Sequence, residues 1–143
     1  MRDLLSATLE RNLPCRFRAR GFSMAPVIRD GDVIMVCPIT SRPPQLGDVI
    51  AFRHPATQAL RVHRIIASRR DGYLLRGDSA QQADGLIRAE QVLGLVTQVE
   101  HNGARKRFGF GRERLLLALL SRLGLLSLAR LSVGFLWRSF RRV

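Results

Sequence analysis

The chain has 143 residues, 24 of them basic and 11 acidic, giving a formal net charge of +13 and a mean hydropathy of zero. That length holds one domain and an appendage, and a unit of about 100 residues buries enough apolar surface to fold without disulfide staples. A membrane-spanning helix needs about 20 predominantly apolar residues; Arg114, Arg122, Arg130 and Arg138 break the leucine-rich end of the chain well before that length, so a spanning segment is excluded there.

In residues 1–14, Arg2, Asp3, Glu10 and Arg11 interrupt any apolar run, so no export signal is expected. Asp3–Arg11 reads as a short helix with Leu4, Leu5 and Leu9 on one side and Pro14 as its stop. From Cys15 to about residue 100 the texture changes to short, β-branched runs: Val33–Val36, Val49–Phe52, Leu60–Ile66, Tyr73–Leu75 and Val92–Val99. Turn signals separate them, among them Asp30-Gly31-Asp32, Pro43-Pro44, Gly47-Asp48, Asp71-Gly72 and Gly77-Asp78. Short strands with no helix between them predict a mainly β domain over 15–100, a small barrel or paired sheets. Gly-Asp-Val-Ile occurs at 31–34 and again at 47–50, one turn-into-strand device used twice. Cys15 and Cys37 have no metal-ligand spacing and read as packed thiols in strands.

Residues 101–111 read as a basic hinge, and 112–143 as amphipathic Arg/Leu-rich helices divided at Gly124. Residues 101–143 hold Arg105, Lys106, Arg107, Arg112, Arg114, Arg122, Arg130, Arg138, Arg141 and Arg142 against the single acid Glu113, so the basicity belongs to the end of the chain. At about 100° per residue, Arg130, Arg138, Arg141 and Arg142 share one side of the second helix, and Leu126, Leu128, Val133, Phe135, Leu136, Trp137 and Phe140 the other. The apolar side can pack on the β domain or on a second copy. The arginine density favours a helix in a membrane interface, with Trp137 at the boundary and the arginines on anionic headgroups. Nucleic acid is not expected as a partner, since arginines alternate with leucines and stacking aromatics are few.

Chemistry is carried by Gly21-Phe22-Ser23-Met24-Ala25-Pro26, followed by Gly31-Asp32. A serine hydroxyl attacks only when a base takes its proton. Lysine and histidine are the common partners, and the one lysine, Lys106, stands in the expected hinge. Of His54, His63 and His101, only His63 lies inside an expected strand, Leu60–Ile66, where a rigid backbone can aim its ring. His54 precedes Pro55 in a turn, and His101 opens the hinge.

These residues resemble a known set. Ser23-Met24-x-Pro26 with Gly31-Asp32 is similar to the nucleophile box of the type I signal peptidases and the related self-cleaving SOS repressors. Gly47-Asp48-Val49-Ile50-Ala51-Phe52 resembles the second box. Val62-His63-Arg64-Ile65 resembles the third, in the archaeal and endoplasmic-reticulum branch where histidine replaces lysine. Gly77-Asp78 with Asp84 resembles the last. The resemblance covers roughly Arg20–Val96, with four boxes in order. It implies a serine endopeptidase in which Ser23 attacks the scissile carbonyl and His63 takes and returns the proton. An aspartate, Asp84 first and Asp78 second, orients the imidazole. The backbone N–H of Ser23 is the implied oxyanion donor, while Gly21 stands where some relatives carry a second donor hydroxyl. Asp32 and Asp48 read as turn residues.

No cofactor or metal is implied. The expected substrate is an extended segment of a peptide or protein precursor, cut beside small side chains, and the expected location is the cytoplasmic face of a membrane. Two other readings compete. One is a silent peptidase fold that binds membrane or a partner through its basic tail. The other, a self-cleaving repressor-like switch, lacks both room for a DNA-binding domain ahead of Ser23 and the lysine base.

Overall fold

The computed structural model describes residues 2–40, 42–107 and 109–124. The interfacial residues expected at Arg130, Trp137, Arg138, Arg141 and Arg142 lie outside the described residues. Helix α1 (Arg2–Glu10) is followed by β1 (Cys15–Arg18), β2 (Val33–Cys37), β3 (Val49–Arg53), β4 (Leu60–Arg69), β5 (Gly72–Arg76), β6 (Leu86–Ile87), β7 (Val92–His101) and β8 (Ala104–Lys106), and then by helix α2 (Glu113–Arg122). The strands form one antiparallel sheet in the order β1-β2-β7-β3-β4-β5-β6, with β8 added to β7. The fold is mainly β, a curled half-barrel, as the sequence predicts.

The apolar runs explain the central strands. Along β3, Val49 and Ala51 join a cluster with Ile34, Val36, Val96 and Val99, while Ile50 and Phe52 join a second with Ile65, Leu75 and Ile87. Both sides of β3 are therefore covered, and its sequence is a continuous apolar run rather than an alternation. Strand β2 does alternate, with Ile34 and Val36 fully buried and its other residues half-exposed. Register shifts at Met35/Val36, Ala51/Phe52 and Ile65/Ala67 bend the sheet by inserting unpaired residues. Cys15 and Cys37 are free thiols, and burial pushes the Cys15 thiol up from its ordinary pKa.

The two Gly-Asp-Val-Ile segments do the same job. Gly31 and Gly47 adopt φ of +86° and +88°, turning the chain immediately before β2 and β3. A Cβ on Gly47 would also meet the Arg114 carbonyl oxygen at 2.9 Å, so both backbone angle and space call for glycine there. The aspartates that follow are more than turn residues. Asp32 accepts from the Arg29 N–H at 2.8 Å, Lys106 Nζ at 2.6 Å and His101 Nδ1 at 2.6 Å. Burial alone raises its pKa, but these bonds outweigh burial and hold the carboxyl below the ordinary aspartate range. Asp48 binds Arg42 at 2.7 Å, Arg114 at 3.0 Å and the Gln45 N–H at 2.8 Å.

Two boundaries read from the sequence are corrected here. The β domain does not end near residue 100, and 101–111 is not simply a hinge: His101 ends β7 and Ala104–Lys106 forms β8. Lys106 is spent on Asp32 and the Val27 carbonyl. Nor is the segment from residue 112 a wholly separate tail. Leu117 belongs to the first core cluster, and Ala118 and Ser121 are buried beside it. Glu113 accepts from the Gly109 and Gly111 amides at the start of α2, and Gly124, at φ +75°, turns the chain just beyond its end.

The deepest polar contact joins Arg64 to Asp78, both side chains 0% exposed. Arg64 Nε and Nη2 each donate to Asp78 at 2.8 Å, and Nη1 donates to the Gly47 and Gly109 carbonyls at 2.9 Å. Removing one member leaves a buried charge unpaired. Asp78→Ala is therefore expected to cost about 3–5 kcal/mol of folding stability. The double variant Arg64→Met/Asp78→Ala should recover part of that loss in urea titration. A double variant less stable than Asp78→Ala alone would show that the bonds to Gly47 and Gly109, rather than the pairing, dominate.

Candidate functional site

Ser23 sits in the turn between β1 and β2. Gly21, at φ +95°, donates its N–H to Asp30 Oδ1 at 2.8 Å and opens the turn. Beyond Ser23, Met24, Val27 and Ile28 are buried in the first core cluster, and Ile28 N–H closes on the Met24 carbonyl at 2.9 Å. The chain is thus pinned just after Ser23, which stays exposed. A third clamp comes from the turn after β5: Ser79 N–H donates to the Ser23 carbonyl at 2.8 Å. Gly77 packs so closely that a Cβ there would meet the Ser23 carbonyl oxygen at 2.6 Å and Ser23 Cβ at 3.0 Å.

His63 lies in β4, opposite Ile50 of β3, and its ring packs against Phe52 with centroids 5.9 Å apart. Its Nε2 is 3.0 Å from Ser23 Oγ, and its Nδ1 is hydrogen-bonded to Asp84 Oδ2. The His63 and Asp84 side chains are only 9% and 5% exposed, so this contact works largely outside bulk water. Asp84 is held by its own N–H on the Leu75 carbonyl at 2.8 Å, and its Oδ1 accepts from Arg61 Nη1 at 3.0 Å. Burial alone pushes the Asp84 carboxyl up, but the bond and charge of His63, then of Arg61, outweigh burial and hold it below the ordinary aspartate range.

The structure brings Ser23, His63 and Asp84 into one line. It does not bring in Asp78, the second choice for the orienting role; that reading is corrected, because the Asp78 carboxylate is enclosed with Arg64 on the far side of β4. His54 lines the cleft beside the site, while His101 and Lys106 are both bound to Asp32. Gly77 was read only as part of a turn and of the last box, and Arg61 and Ser79 escaped the sequence reading. Arg61 was within reach of it, since the period of two in β4 puts Arg61 and His63 on one face. Nothing local in the sequence marks Gly77 and Ser79 as neighbours of Ser23.

The line opens on a cleft of about 1310 Å³. One wall is apolar, with Phe17, Ala19, Met24, Ile34, Leu60 and Val62, and Ala80 to Ala83 form part of the other. Among the described residues no cluster of side chains suits a metal ion.

Residues 4–97, well over half of the chain, match the model of the Peptidase S24-like family. The chain belongs to that family. No curated protein matches it. As a Peptidase S24-like protein it has a serine-peptidase type of fold, and membership points to serine peptidase chemistry in general. The superfamily read from the four boxes is thus supported, whereas the Ser–His branch within it is a finer reading. The match ends before β8 and α2, yet both are fastened to it through Asp32, Asp48 and Arg64.

Two expectations follow for this Peptidase S24-like site. Because the folded pKa of Asp84 is depressed, its pairing stabilises the fold above the ordinary value of 3.8 and is lost as pH falls through the lower folded value. Asp84→Asn should therefore be less stable than wild type at neutral pH, with the gap in urea midpoint closing as pH is lowered toward 3. A gap of equal size at both pH values would mean that ionic pairing is not what holds Asp84. Separately, Gly77→Ala should push the Ser23 backbone aside. A misplacement of about 1 Å can cost roughly 10²-fold in rate, so peptide hydrolysis should fall by that order while the far-UV spectrum stays native.

Proposed function

We propose that this protein is a serine endopeptidase that removes a leader or signal-like segment from a peptide or protein precursor, with Ser23 as nucleophile and His63 as general base. The observation that carries the reading is the continuous line from Ser23 Oγ through the His63 ring to Asp84, opening on a cleft of about 1310 Å³. His63 Nε2 takes the Ser23 proton as Oγ attacks the scissile carbonyl. Asp84 accepts from Nδ1–H, fixes the tautomer and stabilises the imidazolium that forms. Arg61 holds the other Asp84 oxygen and so orients the carboxylate. The Ser23 N–H is the proposed donor to the oxyanion. As the intermediate collapses, His63 returns the proton to the leaving amine, and water then repeats the sequence on the acyl-enzyme.

Lysine chemistry is a poor alternative here, because Lys106 Nζ is committed to buried Asp32. A silent binding module is also disfavoured, since such a module has no need of a serine aligned with a largely buried His–Asp pair. The apolar wall and the exposed position of Ser23 suit a segment presented in extended form, which is what a leader ahead of a folded precursor offers.

The test is hydrolysis of a fluorescence-quenched library of extended peptides with small residues at the scissile position. Ser23→Ala and His63→Ala should each lower the rate on the order of 10⁴-fold or more, and the double variant should be no worse, because the residues act as a unit. Lys106→Met should retain the rate per folded molecule. Activity that survives His63→Ala but vanishes in Lys106→Met would assign the base to lysine and overturn the mechanism.

A further inference from the structure

Helix α2 buries one side and leaves the other bare. Leu117 and Ala118 are 5% and 0% exposed toward the sheet, whereas Leu115, Leu116, Leu119 and Leu123 are 52%, 57%, 53% and 63% exposed. At about 100° per residue these four leucines fall within an arc of about 100°, opposite the buried side. Single exposed leucines are ordinary on a protein surface. A contiguous stripe of four marks a surface that meets something apolar.

The charges around the stripe say what that partner is. Arg112 falls on the same arc one turn before it and Arg122 on its border, both exposed. Glu113, the only acid in α2, sits on another side with its carboxylate on the Gly109 and Gly111 amides. Arg114 is turned away onto Asp48. A second copy packed symmetrically on this stripe would bring Arg112 and Arg122 against one another. The 125–143 segment, which carries Arg130, Arg138, Arg141 and Arg142 and no acid, would likewise add arginines where two already stand. An anionic lipid surface answers both features, with acyl chains for the leucines and phosphates for the guanidiniums.

We propose that the outer face of α2 docks the domain on an anionic lipid surface, with Leu115, Leu116, Leu119 and Leu123 among the acyl chains and Arg112 and Arg122 at the phosphates. The 125–143 segment starts where the stripe ends and has the same leucine and arginine composition, so it extends the basic, apolar character of that region along the chain. This surface is independent of the peptidase reading and stands or falls without it.

Vesicle flotation of the full chain tests the proposal. Wild type should float with vesicles of phosphatidylglycerol and phosphatidylcholine, stay behind with phosphatidylcholine alone, and lose binding as salt rises. In the full chain, Leu115→Ser/Leu119→Ser/Leu123→Ser should reduce partition by at least about tenfold with an unchanged melting curve and an unchanged elution volume. Four results would each overturn the proposal. Wild type that fails to float is one, and a triple variant that floats as well as wild type is another. A lower melting temperature in the variant would show that the chain itself covers the stripe. A dimeric wild type beside a monomeric variant would assign the stripe to a second copy.

Discussion

The contact between Arg64 and Asp78 sets the geometry on which everything else in this domain depends. Successive residues of a strand point to opposite faces, so β4 presents Arg64 to one side and His63 to the other. Arg64 grips the turn after β5 through Asp78. That same turn, through Gly77 and Ser79, bears on the backbone of Ser23. One bidentate pair therefore fixes the strand that carries the histidine relative to the turn that carries its serine's support. The remaining Arg64 donors reach the Gly47 and Gly109 carbonyls, which ties in the entry to β3 and the approach to α2. Arginine suits this task better than lysine, because its planar fork grips a carboxylate in one orientation and still has donors to spare.

Burying such a pair is not an efficient way to gain stability, since desolvation offsets much of the attraction. What it supplies is a single arrangement: an apolar pair of similar volume could slide, and a guanidinium with four hydrogen bonds cannot. The two other Gly-Asp turns repeat the device at lower depth. Asp32 fastens β8 through Lys106, and Asp48 fastens α2 through Arg114. In each case glycine makes a turn and the next residue, buried and acidic, reaches for a cation distant in sequence. The elements beyond the family match are held by these cations, which is why they belong to the domain and not to a tail.

Much of this was legible in the sequence, and the gaps have physical causes. The strands β2, β3, β4, β5 and β7 were readable because each carries a short apolar run, β-branched in all but β5, set off by turn signals. Strand β6 was missed because two residues carry no period, and β8 because Ala104-Arg105-Lys106 has no apolar pattern and pairs only at the edge of β7. Ser23 and His63 stood out as candidates because Ser-Met-x-Pro and Val-His-Arg-Ile resemble two boxes of a known peptidase set and because His63 is the one histidine inside an expected strand. The partners of Asp32, Asp48 and Asp78 were not readable. Whether Asp78 or Asp84 faces His63 depends on how the 77–84 segment folds across the sheet, and spacing in the chain does not contain that information. The hinge was misread for the same reason: a run of basic residues looks solvated until the buried carboxylate that binds one of them is known.

The distribution of acids completes the argument. Asp32, Asp48, Asp78, Asp84, Glu10 and Glu100 are all committed to cations, and Asp30 and Glu113 to backbone amides. Each of these ion pairs uses a cation as well as an acid, so the surplus of basic over acidic residues in the sequence is left at the net charge of +13. Asp84 is the instructive member. An isolated carboxylate as buried as this one would tend to take up a proton; His63 and Arg61 together keep it ionised. The same pairing that preserves its charge also aims it at the imidazole. A negative charge retained beside His63 thus follows from how the chain's eleven acids are placed: the side chains of Asp32, Asp48, Asp78 and Asp84 are at most 5% exposed and each positions something, while Glu10, Asp30, Asp71 and Glu90 stay at the surface.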